Sequence, residues 1–258
     1  MSEHCFSQNP MDHLNLIESD LPSCIWSSAE YSHNENMKGG YQVWPDYCYL
    51  PIAVWGDICT QYDIETFSLS NTTAIISGLG AWRHDRIVYC IPDYVFDMAS
   101  KTKLPKQLPV DKIIAFSKKG LYLDLSGEGF IQGCFIHIEY DFERNEPELR
   151  LLLDTGDSLL PAIVHLGDWS LKSGIDRSFS QCFPKMFRDE LIDMQYDFLE
   201  SIILTMLFVM EGAFDVVVSH ETPNARGSLA KLKKIGKKGG SIKRVKICSV
   251  IPRMNNVA

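Results

Sequence analysis

Three small groups of side chains carry the chemistry this chain has to offer. His137, Glu139 and Asp141 alternate along one run. If the run is a strand, all three point to one side, an arrangement open to a hard metal ion or to acid–base work. His84 and Asp85 stand between Arg83 and Arg86. Together with His137 and Glu139 they would make a metal-dependent nuclease acting on RNA. The third group is Gly78-Leu79-Gly80-Ala81-Trp82-Arg83. Its glycines permit a turn or a close backbone approach, Trp82 offers a large flat apolar surface, and Arg83 offers a planar donor fork. An aromatic face beside an arginine is the chemistry of interface hot spots. Each group also has a plainer reading. His137 and its neighbours would form a solvated sheet face, and His84-Asp85 would be mere sequence neighbours. Trp82 would fill a helix–strand joint, with Arg83 paired to Asp85 or Asp93. There is no P-loop, G-x-G-x-x-G, H-E-x-x-H or G-x-S-x-G, so no catalytic residue, metal or cofactor is expected.

The elements that must position these groups follow from periodicity. Leu121, Leu123 and Leu125 alternate with polar residues, and Ile136, Ile138, Tyr140 and Phe142 alternate with His137, Glu139, Asp141 and Glu143. That pattern predicts antiparallel strands with one wet face. Turns at Asn145-Glu146-Pro147 and Thr155-Gly156-Asp157 lead to further strands over 149–153 and 159–166, which makes a meander. From Pro184 to about 211, apolar residues at three- and four-residue spacing predict a long amphipathic helix that covers the sheet, with a short strand over 215–218 beyond it. Upstream, a helix over about 67–80, a strand over 86–91 and a helix from Pro92 to about 100 are expected. The stretch from Tyr41 to Trp55, dense in aromatics and broken by Pro45 and Pro51, reads as a turn followed by a helix. Residues 1–40 are polar and predict a loosely held arm with one short helix around 12–21.

The totals exclude several classes. With 258 residues, 45% of them hydrophobic, the chain can bury a substantial core. Residues 1–20 lack the basic and apolar regions of a secretory signal, and the most apolar stretch, Ile202 to Met210, is far too short to span a membrane. A cytoplasmic protein with no membrane association is expected. Its eight cysteines form no C-x-x-C pair and read as reduced, mostly buried thiols. The net charge of −8 is uneven: residues 222–258 hold ten Lys/Arg and no acid, leaving 15 basic against 33 acidic residues elsewhere, a net of −18. Within the basic segment, Lys231, Lys233, Lys234, Lys237, Lys238, Lys243 and Arg244 suit phosphate contacts with RNA. No aromatic interleaves them for base stacking. The acidic remainder and the lack of a helix-turn-helix weigh against a plasmid-maintenance nucleic-acid binder.

The order of these features resembles a known family. Val43-Trp44-Pro45 to Leu50-Pro51, a helix into Gly80-Ala81-Trp82-Arg83, the Ile87-Val88-Tyr89 strand, Leu121 to Leu125 and the strand over 133–140 succeed one another as in the type V-A anti-CRISPR proteins of phages and plasmids that block biogenesis of the effector nuclease. The similarity covers roughly residues 40–215. Longer relatives continue past the basic segment into a His/Arg/Trp-rich stretch and a final aromatic strand. The resemblance implies a non-enzymatic binder in the bacterial cytoplasm. It would recognise the N-terminal peptide of the nascent effector and trigger loss of its mRNA, with the basic tail reaching ribosome or messenger RNA. On that reading Trp82, Arg83, Trp44 and Tyr47 form or support the peptide site.

The expected fold is α+β: an antiparallel meander of about four to five strands backed by the long C-terminal helix, with smaller helices from the N-terminal half. The expected organisation is an arm over 1–40, one domain over 41–218 and a flexible basic tail over 219–258.

Overall fold

A computed structural model describes residues 10–40, 43–62, 64, 69–104, 109–117, 120–125, 131–166, 188–221 and 245–252. Within them the chain forms α1 (Pro10–Asp20), α2 (Cys24–Met37), α3 (Ile52–Gln61), α4 (Leu69–Asp85), β1 (Ile87–Cys90), α5 (Asp93–Ser100), α6 (Val110–Ser117), β2 (Leu121–Asp124), β3 (Gly133–Asp141), β4 (Glu146–Asp154), β5 (Leu159–His165), α7 (Arg188–Met210), β6 (Phe214–Glu221) and β7 (Val245–Pro252). No helix among the described residues is long and apolar enough to cross a membrane.

The meander expected from the alternating pattern is present as β2 to β5, each strand antiparallel to the next. It is one part of a larger mixed sheet of seven strands in the order β5-β4-β3-β2-β1-β7-β6. β1 lies parallel to both β2 and β7, and β6 runs antiparallel to β7. The expectation of four to five antiparallel strands backed by a C-terminal helix is corrected accordingly: the sheet has seven strands, and β6 and β7 follow α7. The link from β1 to β2 must carry the chain back to the same end of the sheet, and α5 and α6 fall in that crossover. β7 lies inside the segment expected to be a flexible tail, where Val-Lys-Ile-Cys-Ser-Val-Ile alternates well enough to fill the gap between β1 and β6.

Helices cover both faces of the sheet. On one side Ile136, Ile138, Leu149, Leu151 and Leu153 pack with Leu199, Ile202, Ile203 and Met206 of α7 and with residues of α5 and α6. On the other, Tyr122, Phe135 and Leu152 pack with Leu14, Ile25, Trp26, Trp55, Ile76, Leu79 and Trp82 of α1 to α4. The face expected to be wet is therefore enclosed, and His137 and Glu139 are buried. Within the segment expected as an arm, the described residues form two helices, α1 and α2. Leu14, Ile25 and Trp26 sit in this second core, with Ile17 and Leu21 packed against it, while Leu16 stays exposed.

The segment expected as a turn at Gly80-Ala81-Trp82-Arg83 continues α4 to Asp85. Its glycines serve packing instead. A Cβ on Gly80 would lie 2.5 Å from the Trp55 ring, and one on Gly78 would lie 2.5 Å from the Leu152 side chain. The turn comes at Arg86, whose φ of 51° is left-handed and whose N–H donates to the carbonyl of Trp82 at 2.8 Å. Cys24, Cys48, Cys59, Cys134 and Cys248 are free thiols, and burial pushes those of Cys48 and Cys134 well up. Cys90 on β1 is disulfide-bonded, against the expectation of reduced cysteines throughout.

Gly120 opens β2 against the same helix. Its φ is +64°, and a Cβ there would lie 2.7 Å from the backbone of Ala81. Gly120→Ala therefore meets both a conformational penalty and an unyielding helix backbone. It is expected to destabilise the protein by about 2 kcal/mol or more, read from the urea midpoint.

Candidate functional site

The end of α4 distributes its four motif residues between scaffold and surface. Gly80 receives the Trp55 ring, which meets Trp26 edge-on at 5.8 Å between centroids. Trp82 is wholly buried. Its Nε1–H donates to the carbonyl of Ile87 at 2.9 Å, and its ring stands edge-on to Phe135 at 5.3 Å. Arg83 pairs with neither Asp85 nor Asp93. Its Nε donates to Glu18 of α1 at 3.1 Å, its Nη1 donates to Glu30 of α2 at 2.9 Å, and its guanidinium lies 5.1 Å over the Trp26 ring. The arginine thus holds two N-terminal helices to α4.

Ala81 does face a surface cleft. His33, Met37, Asp46, Tyr49, Ala81, His84 and Asp85 line a space of about 210 Å³. One wall is α2, one is the Pro45–Leu50 segment, and the floor is the last turn of α4. His33 Nδ1–H donates to the Tyr49 carbonyl at 2.8 Å, and the two rings stack at 4.7 Å. That bond leaves His33 Nε2 free of the backbone. His84 lies 5.8 Å from Tyr49 by ring centroid and 3.5 Å from the Asp85 carboxylate. Burial, with the Glu30 charge adding to it, pushes the Tyr49 hydroxyl up to about 12, so it stays a neutral donor. The cleft therefore offers an aromatic face, a thioether, a donor and two carboxylates in a space the size of one or two side chains.

Trp44 and Tyr47 are not among the residues lining this cleft. Trp44 is buried. Its backbone N–H donates to the Asn36 side-chain oxygen at 2.9 Å, the Asn36 amide donates to the Trp44 carbonyl at 3.0 Å, and its indole donates to the Cys48 carbonyl at 3.2 Å. This reciprocal clasp ties α2 to the cleft's second wall. Tyr47 is half-buried and touches both cores, and burial raises its hydroxyl to about 12. His33, Met37, Asp46 and Tyr49 were not singled out by spacing. Tyr49 lay within a visible aromatic run, but His33 sat in a polar segment with no signal.

The four residues that would build a nuclease lie in two places. His84 and Asp85 line the cleft. His137 and Glu139 sit beside Ser77, seven residues earlier on α4, about 10 Å along the helix axis. There they belong to a buried chain of charges. Ser77 bonds Glu139, and His137 Nε2 is 3.1 Å from the same carboxylate. Arg150 reaches Glu139 at 3.6 Å and donates to Glu148. His165 Nδ1 is 2.9 Å from Glu148, and Arg144 donates to His165 at 3.3 Å. Asp141 pairs with Arg144 at 3.6 Å rather than joining His137. No group of three potential metal ligands occurs among the described residues. Lys231, Lys233, Lys234, Lys237, Lys238, Lys243 and Arg244 lie outside the described residues.

The model of the AcrVA2-like family, anti-CRISPR type V subtype A2, matches residues 89–255. The chain belongs to the AcrVA2-like family. The crystal structure of AcrVA2 shares its fold, with a TM-score of 0.60 at 15% identity over 96% of this chain and 84% of that one. No curated protein matches. The family match begins at Tyr89, so it takes in most of the sheet of this AcrVA2-like protein, while the cleft is built from residues before it.

Two outcomes separate scaffold from site. Trp82→Ala is expected to cost about 3–5 kcal/mol of stability in urea titrations, since it empties a closed aromatic core. Burial pushes the Glu148 carboxyl up, but the hydrogen bond from His165 and the charge of Arg150 outweigh this and hold it at about 2, below its ordinary 4.5. A carboxyl lowered on folding stabilises above its unfolded value, and that stability is lost as pH falls. The wild-type urea midpoint is therefore expected to drop between pH 4.5 and about 2 more steeply than that of Glu148→Gln.

Proposed function

We propose that this AcrVA2-like protein inhibits a type V-A CRISPR system as a binder, without a catalytic step. In this reading it takes the N-terminal peptide of the effector nuclease in the α2–α4 cleft. It then lowers production of the nuclease through loss of its mRNA. The observation that carries the reading is the cleft itself. Its floor is the last turn of the helix whose Gly-Ala-Trp-Arg run carried the family resemblance, and its lining suits a side chain with both apolar and polar parts. Trp82 and Arg83 support the cleft from behind, and Trp44 and Tyr47 brace its wall. Met37, which lines the cleft, is exposed, so a peptide would find apolar contact there. The acidic residues Asp46 and Asp85 favour a basic group on the ligand. The basic segment over 222–258 would contact ribosomal or messenger RNA through phosphates.

The test is direct binding of a fluorescent peptide from the N-terminus of a type V-A effector, read by anisotropy. Met37→Asp and Asp85→Ala change the cleft without entering either core, and each is expected to weaken binding by about tenfold or more. Absence of binding by the wild-type protein, or equal binding by both variants, would sink the assignment. For the second half of the reading, effector mRNA in cells co-expressing the protein should fall. An unchanged level would leave only inhibition after translation.

A further inference from the structure

The far edge of the sheet carries a surface that the cleft reading does not use. β6 is the terminal strand, and among the described residues it pairs only with β7. Val216, Val217 and Val218 are exposed by 37%, 51% and 48%. Consecutive strand residues point to opposite faces, so these three valines expose both faces of the middle of β6. Phe214, Val216 and Val218 share one face, and Tyr94 of α5 meets Phe214 edge-on at 6.1 Å. Tyr94 and Met98 are themselves exposed, which extends the apolar strip onto α5. An eight-residue edge of this kind is what folded proteins ordinarily cover or charge.

We propose that this edge pairs with the same edge of a second copy, antiparallel about a two-fold axis at Val217, to make one continuous sheet. A strand edge is complementary to itself, as an isologous contact requires. In an antiparallel pair, residues that face each other lie on the same side of the sheet, so facing residue numbers differ by an even amount. Centring on Val217 sets Val217 against its own copy and Val216 against Val218, with Asp215 facing Ser219. All three valines then meet valines, and no two like charges stand opposite. Centring on Val218 sets Asp215 against Glu221, a like-charge pair. Centring on Val216 sets Asp215 against Val217. The sequence of β6 thus selects one register, and that register is self-complementary in both apolarity and charge. An unrelated peptide would need a matching sequence, which this chain already supplies.

Light scattering and sedimentation of the full chain are expected to give about twice 29.3 kDa at micromolar concentration. Val217→Lys places two like charges on the axis and is expected to raise the dimer dissociation constant at least about tenfold, with an unchanged far-UV spectrum. Val217→Glu should do the same, and an equal mixture of the two variants should recover the dimer. Val217→Cys under mild oxidation should yield a covalent dimer beyond the wild-type background, since facing Cα atoms of such a pair lie within disulfide reach. A wild-type chain that stays monomeric, whether or not it captures an extended peptide on this edge, overturns the proposal. So does a Val217→Lys protein that remains dimeric, a mixture that does not re-associate, or a Val217→Cys protein that does not cross-link.

Discussion

Glu139 and Glu148 face each other directly across β3 and β4, and the sheet closes only because Arg150 lies between them. Like charges opposite one another on a sheet repel, and burial multiplies that cost. Here the repulsion is offset by a chain of partners, from Ser77 and His137 through Arg150 to His165 and Arg144. Glu139 stays below its ordinary range although burial opposes this, because the Arg150 charge and the His137 hydrogen bond act against it. The arrangement commits the structure. Once this face carries charge, α4 must cap it with Ser77 in register, and every element that holds α4 in place becomes part of the same constraint.

The N-terminal half supplies that hold through a few specific contacts. Asp154, at the end of β4, accepts from Tyr122 and lies 2.9 Å from His13, which pins α1 to the sheet. Arg83 ties α1 and α2 to α4 through Glu18 and Glu30. Gly80 lets Trp55 come close enough for α3 to join them. The cleft results from this packing, since its walls are the helices that gather around the last turn of α4.

The cleft and the β6 edge lie on different elements and call on different physics. The cleft is small and mixed in character, suited to reading a side chain. The edge is an eight-residue strand with three exposed valines at its middle, suited to main-chain pairing. Neither uses the buried charge chain, whose histidines and carboxylates hold the fold together.

Several parts of this were readable in the chain. The alternation over 121–125 and 136–142 marked the meander, because a period of two admits no other regular element. The spacing after Pro184 marked α7, described from Arg188 to Met210. The parallel placement of β1 and β7 was not readable, because strands of four and eight residues do not say which neighbour they will pair with. His137 and Glu139 looked solvated for a related reason. A strand's sequence shows which residues share a face, and what covers that face is decided by helices more than fifty residues away. Local periodicity determined the elements and the family order of motifs. Only the tertiary packing of α1 to α4 determined which polar residues would be buried as scaffold and which left open as a site, because desolvation depends on neighbours the local sequence does not contain.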